Sequence, residues 1–220
     1  MFLTGSRRSF PIASIPFLLA ALVFTCSNLA LAQKSKKQKV TPTELVAEVE
    51  PQANPANWKT FTSAAGNFSI VTPGAFTHEE KTTQGPDGPV QLHVFIYYAN
   101  AEYSVTYADY LAVIENSDRT QLFLNAVRDA GVQGINGKLV EEKEITLDGH
   151  PGRTYIVEYG TNNGFLLAGR NIVVGQRLYI LSATYRKDDV PLVKGSYAEW
   201  ALRFLDSFKL TKAPALARLK

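Results

Sequence analysis

The chain is nearly devoid of cysteine: Cys26 is the only one among its 220 residues. It lies inside an N-terminal apolar stretch, so the rest of the chain carries no thiol. Disulfides, cysteine-ligated zinc, iron–sulfur clusters and cysteine nucleophiles are therefore excluded there. Histidine is scarce as well, with three residues. Any chemistry that needs an imidazole depends on His78, His93 and His150.

A strong charge of one sign is also lacking. The formal net charge is +3 at pH 7, and the basic excess lies towards the two ends of the chain. Residues 57–210 carry slightly more acidic than basic side chains, which argues against a nucleic-acid-binding face. The sequence contains no HExxH, GxSxG, P-loop or GxGxxG motif. We therefore expect no catalytic residue, no cofactor and no metal site, and hence a protein that is not an enzyme.

Residues 1–32 are predicted to be an export signal. The pair Arg7-Arg8 precedes an uncharged apolar run, and Ala30-Leu31-Ala32 offers a cleavage site with small residues at its two outer positions. Cleavage there predicts a periplasmic or other extracytoplasmic location. Three alternatives stay open, namely an uncleaved membrane anchor, a twin-arginine signal and lipidation of Cys26.

A linker is predicted over residues 33–56. The segment is rich in lysine, glutamate and proline and poor in large apolar side chains, so it cannot order itself by burial. Its lysine cluster consists of Lys34, Lys36, Lys37 and Lys39. We expect membrane contact only through this cluster or the signal segment. A globular domain follows at 57–210, and 211–220 form a basic tail.

The domain is dominated by alternation of apolar and polar residues, which predicts strands. The predicted strands are 59–62, 67–71, 76–83, 91–98, 103–110, 139–147, 153–159, 165–174 and 176–185. The segment 85–89, with two glycines and two prolines, is predicted to be a loop. Short turns between consecutive strands can join only antiparallel neighbours.

Two helices are predicted from capping patterns. The first begins near Asp118, with Gln121 three residues later, and ends at Gly131. The second begins with a capping box formed by Ser196 and Glu199. Because helices with apolar stripes must bury them, we expect an α+β fold in which helices flank an antiparallel sheet, an α/β/α sandwich.

Five segments carry a family resemblance. They are WKTF at 58–61, GNFSI at 66–70, LDGHPGR at 147–153, VGQRLYIL at 174–181 and FLDSFKL at 204–210. Together they resemble the PsbP-like superfamily, which includes an extrinsic photosystem II subunit, exported bacterial lipoproteins and a nuclear import factor. The resemblance implies a sheet sandwiched by helices and a non-enzymatic binding or assembly role. We expect an exported domain whose partner is a protein or an envelope component.

Four residues are candidates for a binding site: His93, His150, Arg153 and Arg170. An imidazole and a guanidinium beside the turn at 150–153 can hold an anion, but Arg153 can equally pair with a carboxylate across the sheet. His93 can line a cleft or be a half-buried packing residue. Arg170 is expected to pair with Glu158 or another strand acid.

Two alternative functions make structural demands. A hydrolase with its site near His93 and the His150–Arg153 turn requires those side chains to converge in one pocket with a carboxylate. A small-molecule-binding module requires a large apolar cavity between sheet and helix. The position of the side chains and the volume of the interior therefore decide between these functions and a binding surface.

Overall fold

The computed structural model describes residues 57–85, 88–99, 101–111, 117–189, 192–194 and 197–211. The predicted export signal, the linker and all of the basic tail except Thr211 lie outside these residues. Within them, no helix has the length and apolarity needed to cross a membrane. The fold is α+β, consisting mostly of antiparallel sheet with two helices.

One large sheet contains seven strands. In chain order they are β3 (Thr77–Gly85), β4 (Gly88–Tyr98), β5 (Glu102–Asp109), β6 (Lys138–Leu147), β7 (His150–Tyr159), β8 (Phe165–Val174) and β9 (Arg177–Arg186). Their order across the sheet is β3-β4-β5-β9-β8-β7-β6, and every neighbouring pair is antiparallel. Strands β3 and β6 are therefore the two edges of this sheet.

The remaining elements are smaller. Strands β1 (Lys59–Ser63) and β2 (Phe68–Thr72) form a three-stranded sheet with β12 (Lys209–Leu210), and β10 (Leu192–Lys194) pairs with β11 (Tyr197–Ala198). The helices are α1 (Ser117–Gly134) and α2 (Glu199–Asp206). The predicted hairpin at 59–71 is confirmed, since β1 and β2 pair in antiparallel register from Lys59 with Thr72 to Ser63 with Phe68.

The two helices lie on opposite faces of the large sheet. Leu124 and Val127 of α1 pack in one apolar cluster with Val173. Phe204 and Leu205 of α2 belong to a second cluster that contains the next strand position, Ile172. Successive strand residues point to opposite faces. The small sheet packs on the α2 side through Phe68 and Ile70, so helices account for only part of the cover that the sandwich prediction assigned to them.

The end of α1 differs from the prediction. The helix continues through Gly131 to Gly134, and Gly131 is not among the residues with positive φ. The left-handed residue is Asn136, with φ 49°, a conformation that asparagine tolerates because its side chain can hydrogen-bond locally. The Gly137 N–H then donates to the Val132 carbonyl at 2.8 Å and closes the turn.

The start of α2 also differs. The helix begins at Glu199, and its N-cap position is Ala198, which makes no side-chain capping bond. The predicted capping box of Ser196 and Glu199 is therefore wrong, and Ser196 itself lies outside the described residues. The pairing of β10 with β11 holds Tyr197 and Ala198 extended, so a local strand pair precedes the helix where the capping pattern predicted its first turn.

The predicted loop at 85–89 is wrong in part. Gly85 and Gly88 are the last residue of β3 and the first residue of β4, and Pro89 pairs with Gln84 inside the hairpin. Strand β4 pairs with β5 only from Leu92 onward. Pro89 therefore lies beyond the last pair with β5, where its missing N–H costs no ladder bond on that side.

Candidate metal-binding surface

His93 lies in β4, directly opposite Glu80 of edge strand β3 on one side and Tyr107 of β5 on the other. Its ring stacks on Tyr107 with 4.5 Å between centroids. The side chain is 24% exposed, so it is half-buried, as one of the two interpretations of this histidine predicted. It faces the side of the sheet that carries α2, because Tyr107 belongs to that cluster.

His78 joins His93 on the same surface. It precedes Glu80 by two residues in β3, and residues two apart in a strand share a face. The two imidazole rings stack at 5.6 Å, and His78 also stacks on Phe95 at 4.4 Å. One possible ligand atom from each of His78, Glu80 and His93 lies within 4.8 Å of the other two. We call these three residues the edge cluster.

Within the edge cluster, Nδ1 of His93 makes no hydrogen bond to a described residue. Glu80 Oε2 accepts a hydrogen bond of 2.7 Å from Gln91 Nε2. Glu80 Oε1 lies 3.4 Å from His93 Nδ1, longer than an ordinary N–H···O bond. His93 Nδ1 is buried and has no hydrogen-bond partner among the residues that the structure describes. The pair is close enough for attraction but is not a formed hydrogen bond.

Arg177 borders the edge cluster on its inner side. Its guanidinium lies 4.5 Å from the centroid of the Tyr107 ring. Nε and Nη2 donate to the two carboxylate oxygens of Asp109, both at 2.6 Å, and Nη1 donates to the Ala65 carbonyl at 2.8 Å. The hydrogen bonds to Asp109 raise the pKa of Arg177 despite its burial. This cation is therefore held by its own carboxylate.

His150 lies elsewhere. It lines a shallow hollow of about 380 Å³ with Asp109, Arg177 and other residues. The register runs from His93 through Tyr107, Tyr179 and Ile172 to Gly152, two residues from His150. Four strand spacings of about 4.8 Å each separate the two histidines by roughly 19 Å. They do not converge in one pocket.

Arg153 lies on the opposite face of the sheet, beneath α1. Its guanidinium donates to Glu142 Oε1 at 2.6 Å, Glu144 Oε1 at 3.1 Å and Gln121 Oε1 at 2.9 Å. Arg128 of α1 also binds Glu142. The predicted pairing of Arg153 with a carboxylate across the sheet is confirmed, since Glu144 is its direct neighbour in β6. These contacts attach α1 to the β6–β7 edge.

The ionisation of Glu142 follows from this arrangement. Burial alone raises the pKa of its carboxyl group, but hydrogen bonds and charge from Arg153 and Arg128 lower it by more. The net effect is a pKa below the ordinary value of 4.5. The carboxylate is therefore held in its charged form by two guanidinium groups.

Arg170 does not pair with Glu158, so that specific prediction is wrong. Its Nη1 donates to the Leu205 carbonyl at 2.8 Å and its Nη2 to Asp206 Oδ1 at 2.6 Å. Glu158 instead accepts from Lys187 at 2.6 Å. The last carbonyls of a helix lack partners and carry partial negative charge, which attracts a cation. Arg170 therefore fixes the C-terminal end of α2 on the sheet.

The interior next to α1 is well filled. The space between this helix and the sheet has a volume of about 10 Å³. Its lining includes Tyr155, Val157, Leu167 and Ile180. Such a volume holds at most one water molecule. In this part of the described structure, the large apolar cavity required by a small-molecule-binding module is absent.

Sequence reasoning singled out His93 but missed His78 and Glu80. A signal was available in the symmetry of the hairpin. Its turn lies between Gly85 and Gly88, so residues equally far from that turn face each other. Centring the hairpin there places Glu80 opposite His93 and His78 opposite Phe95. The prediction of a loop over 85–89 concealed this register.

No protein-family model and no curated protein matches the chain. Among solved structures, the chain is similar to cyanobacterial PsbP (CyanoP) from Synechocystis sp. PCC 6803, with a TM-score of 0.48 and 16% identity, covering 70% of this chain and 93% of that one. A Pseudomonas aeruginosa protein of unknown function gives a TM-score of 0.34 and 11% identity, covering 60% and 85%. A Bacteroides thetaiotaomicron VPI-5482 protein gives 0.31 and 14%, covering 71% and 49%. These are likenesses of shape and assign no ligand or activity.

Proposed function

We propose that the chain is exported and acts outside the cytoplasm as a non-enzymatic binding or assembly domain of the PsbP-like type. Export is supported by the arginine pair, the apolar run and the small-residue cleavage site in residues 1–32. The PsbP-like assignment is supported by the five sequence segments within 57–210. The partner is a protein or a component of the cell envelope.

One observation carries the choice of binding over catalysis: the candidate residues are separated and serve the fold. Arg153 and Arg170 hold the two helices on the sheet. His93 and His150 stand roughly 19 Å apart by strand spacing. General acid–base catalysis needs its groups within hydrogen-bond reach of one reacting centre. The arrangement therefore favours a scaffold that presents a surface over a hydrolase site built from these residues.

We place the binding surface on the β3–β4 edge. In the part of the chain that the structure describes, this is the place where three side chains of the histidine, cysteine, aspartate or glutamate type bring possible ligand atoms within 4.8 Å of one another. At the β6–β7 edge, Arg153 and Glu142 already bind residues of α1. Side chains with unused polar atoms at an exposed edge are suited to contact a partner.

Export is tested by sequencing the N-terminus of the chain recovered from its host. We expect the chain to begin at Gln33 and to fractionate outside the cytoplasm. A variant without residues 1–32 should stay in the cytoplasm and fail to restore the phenotype of a deletion strain. A soluble cytoplasmic chain that begins at Met1 and restores the phenotype would refute export. A lipid on Cys26 would identify an exported, anchored form.

The position of the binding surface is tested by photo-cross-linking in living cells. A photoreactive residue replaces Thr82 on β3 or, as the matched control, Lys143 on β6. Both positions are exposed, and their strand parity places them on the same face of the sheet. We expect a discrete adduct from position 82 and none from position 143. Equal adducts from both positions, or an adduct from position 143 alone, would contradict this surface.

A further inference from the structure

The geometry points to a binding site for a divalent transition-metal ion of the zinc class, formed by His78, Glu80 and His93. This inference rests on the proposed function only in using the same edge of the sheet. Its three ligands come from two adjacent strands, and the hairpin register fixes their order. Edge strand β3 supplies two of them from one face, and β4 supplies the third.

The chemistry of the three side chains selects the class of ion. Two imidazole nitrogens and one carboxylate oxygen form a donor set of intermediate softness, which suits Zn²⁺, Co²⁺, Ni²⁺ or Cu²⁺. Calcium and magnesium prefer sites made of oxygen atoms. Three protein ligands leave a fourth tetrahedral position. That position faces outward, because the Glu80 side chain is 52% exposed.

The spacing of Glu80 and His93 is the spacing of two ligands on one ion. Their facing atoms, Oε1 and Nδ1, lie 3.4 Å apart without forming a hydrogen bond. Two ligand atoms at about 2.1 Å from a tetrahedral zinc ion are separated by about 3.4 Å. The missing hydrogen bond also leaves Nδ1 of His93 buried without a hydrogen-bond partner among the described residues, and a buried nitrogen in that state is unfavourable until an ion or a hydrogen-bonding group satisfies it.

His78 completes the site by turning its ring about the side-chain bonds. Its ligand atom lies within 4.8 Å of those of Glu80 and His93, but its ring lies only 15° from parallel to the His93 ring, and an imidazole nitrogen binds a metal ion in the plane of its ring, so the ring must turn before both nitrogens point at one ion. The His78 side chain is exposed, so it can turn about its own bonds without moving the strand. The stacking on Phe95 at 4.4 Å is the contact that this turn gives up.

Neighbouring residues orient the ligands. Gln91 donates to Glu80 Oε2 at 2.7 Å, which leaves Oε1 turned towards His93. Tyr107 stacks on the His93 ring at 4.5 Å and restricts its rotation. Arg177 lies on the far side of Tyr107 and is neutralised by Asp109. The nearby cation therefore brings its own compensating carboxylate, which reduces its repulsion of a metal ion.

The test is calorimetric titration of zinc into the untagged chain as purified from its host and stripped with EDTA. We expect one zinc ion per chain, and no binding of magnesium or calcium at the same concentrations. His93→Ala and Glu80→Gln should each weaken zinc binding by more than about 100-fold, a larger loss than removal of a residue that only orients a ligand. Gln91→Ala should weaken it by about 10-fold. The matched control, His150→Ala, should bind zinc normally.

Misfolding is excluded by requiring each variant to retain the circular dichroism spectrum of the parent. Cobalt substitution gives a second measurement, with visible bands typical of tetrahedral Co²⁺ expected in the parent and in His150→Ala but not in His93→Ala. Absence of saturable zinc binding, or equal losses in His150→Ala and His93→Ala, would overturn the inference. Either result leaves the cross-linking from position 82 unaffected, so failure of the metal site and failure of the proposed function are distinguishable.

Discussion

The two edges of the large sheet use the same cross-strand pairing and reach different outcomes. At the β3 edge Glu80 faces His93, and at the β6 edge Glu144 faces Arg153. The basic residue is 24% exposed in the first case and 8% in the second. Arg153 is covered by α1, whose Gln121 accepts from Arg153 and whose Arg128 binds Glu142.

This difference between Arg153 and His93 shows how the cover over a sheet edge decides whether a basic side chain there serves the fold. Arg153 lies against a helix, and its Nη1 and Nη2 donate to Glu142, Glu144 and Gln121, although its Nε has no hydrogen-bond partner among the described residues. His93 is 24% exposed, and its Nδ1 has no hydrogen-bond partner among those residues. The contacts of Arg153 are therefore structural, whereas His93 lies beside two other side chains that can bind a metal ion.

The largest effect on stability should come from the β6 edge. Arg153→Met removes the buried guanidinium that binds Glu142, Glu144 and Gln121 and should lower the free energy of unfolding by about 3 kcal/mol. His93→Ala removes mainly ring stacking and should lower it by about 1 kcal/mol. Urea unfolding measures both, with the exposed Lys143→Met as control. Equal losses for Arg153→Met and His93→Ala would erase the contrast between the edges.

The second largest effect is the stabilisation expected when zinc binds at the β3 edge. Zinc at a hundred times its dissociation constant should raise the free energy of unfolding by about 2.7 kcal/mol. Arg153→Met should show the same increment, since distant sites contribute additively, whereas His93→Ala should show none. Urea unfolding with and without zinc measures the increment. A gain that disappears in Arg153→Met and persists in His93→Ala would reverse the assignment of the two edges.

The third effect depends on pH. The folded-state pKa of Glu142 lies below its ordinary value of 4.5. Its pairing therefore contributes stability above that pH and loses it as the pH falls through the folded-state pKa. Glu142→Gln should cost about 1–3 kcal/mol at neutral pH and should flatten the stability loss between about pH 5 and pH 3. Denaturation across that range tests it, and Glu144→Gln, at the more exposed carboxylate, should behave like the parent.

The smallest effect on stability is expected from His93→Arg, which gives the β3 edge the glutamate–arginine pairing of the β6 edge. His93→Arg gives Glu80 a guanidinium partner at an exposed edge, where an ion pair changes stability by no more than about 1 kcal/mol. The same change removes a nitrogen ligand and should abolish zinc binding. Calorimetry and urea unfolding on one preparation measure the two properties. Retained zinc affinity in His93→Arg would show that this histidine is not a ligand.

Much of the fold was predictable because it depends on local sequence patterns. The predicted strand 165–174 matches β8, Phe165–Val174, because its mostly apolar residues, buried on both faces of the sheet, lie between Gly164 and Gly175. The starts and ends of the helices were less predictable. The start of α2 depends on the pairing of β10 with β11, and the partner of Arg170 is a helix end that only the tertiary fold brings close.

The edge cluster was predictable only in part, because its composition depends on how β3 pairs with β4. His93 was a candidate on its own, but its neighbours depend on which residues of β3 face β4. Proline is unfavourable inside a strand, so Pro89 favours a predicted start of β4 after its own position. The structure has β4 beginning at Gly88. Arg153 was easier, because the preceding predicted strand carries Glu141, Glu142 and Glu144, so a carboxylate is in reach of the arginine in more than one register.

The central claim is that His78, Glu80 and His93 bind one zinc ion. Its most direct test is anomalous diffraction, at the X-ray absorption edge of zinc, from crystals of the chain grown with zinc. The account predicts one peak between β3 and β4, with a nitrogen of His78, a nitrogen of His93 and Oε1 of Glu80 each at about 2.0–2.2 Å. A peak only at other residues, or a direct Glu80–His93 hydrogen bond with no ion between them, would contradict it.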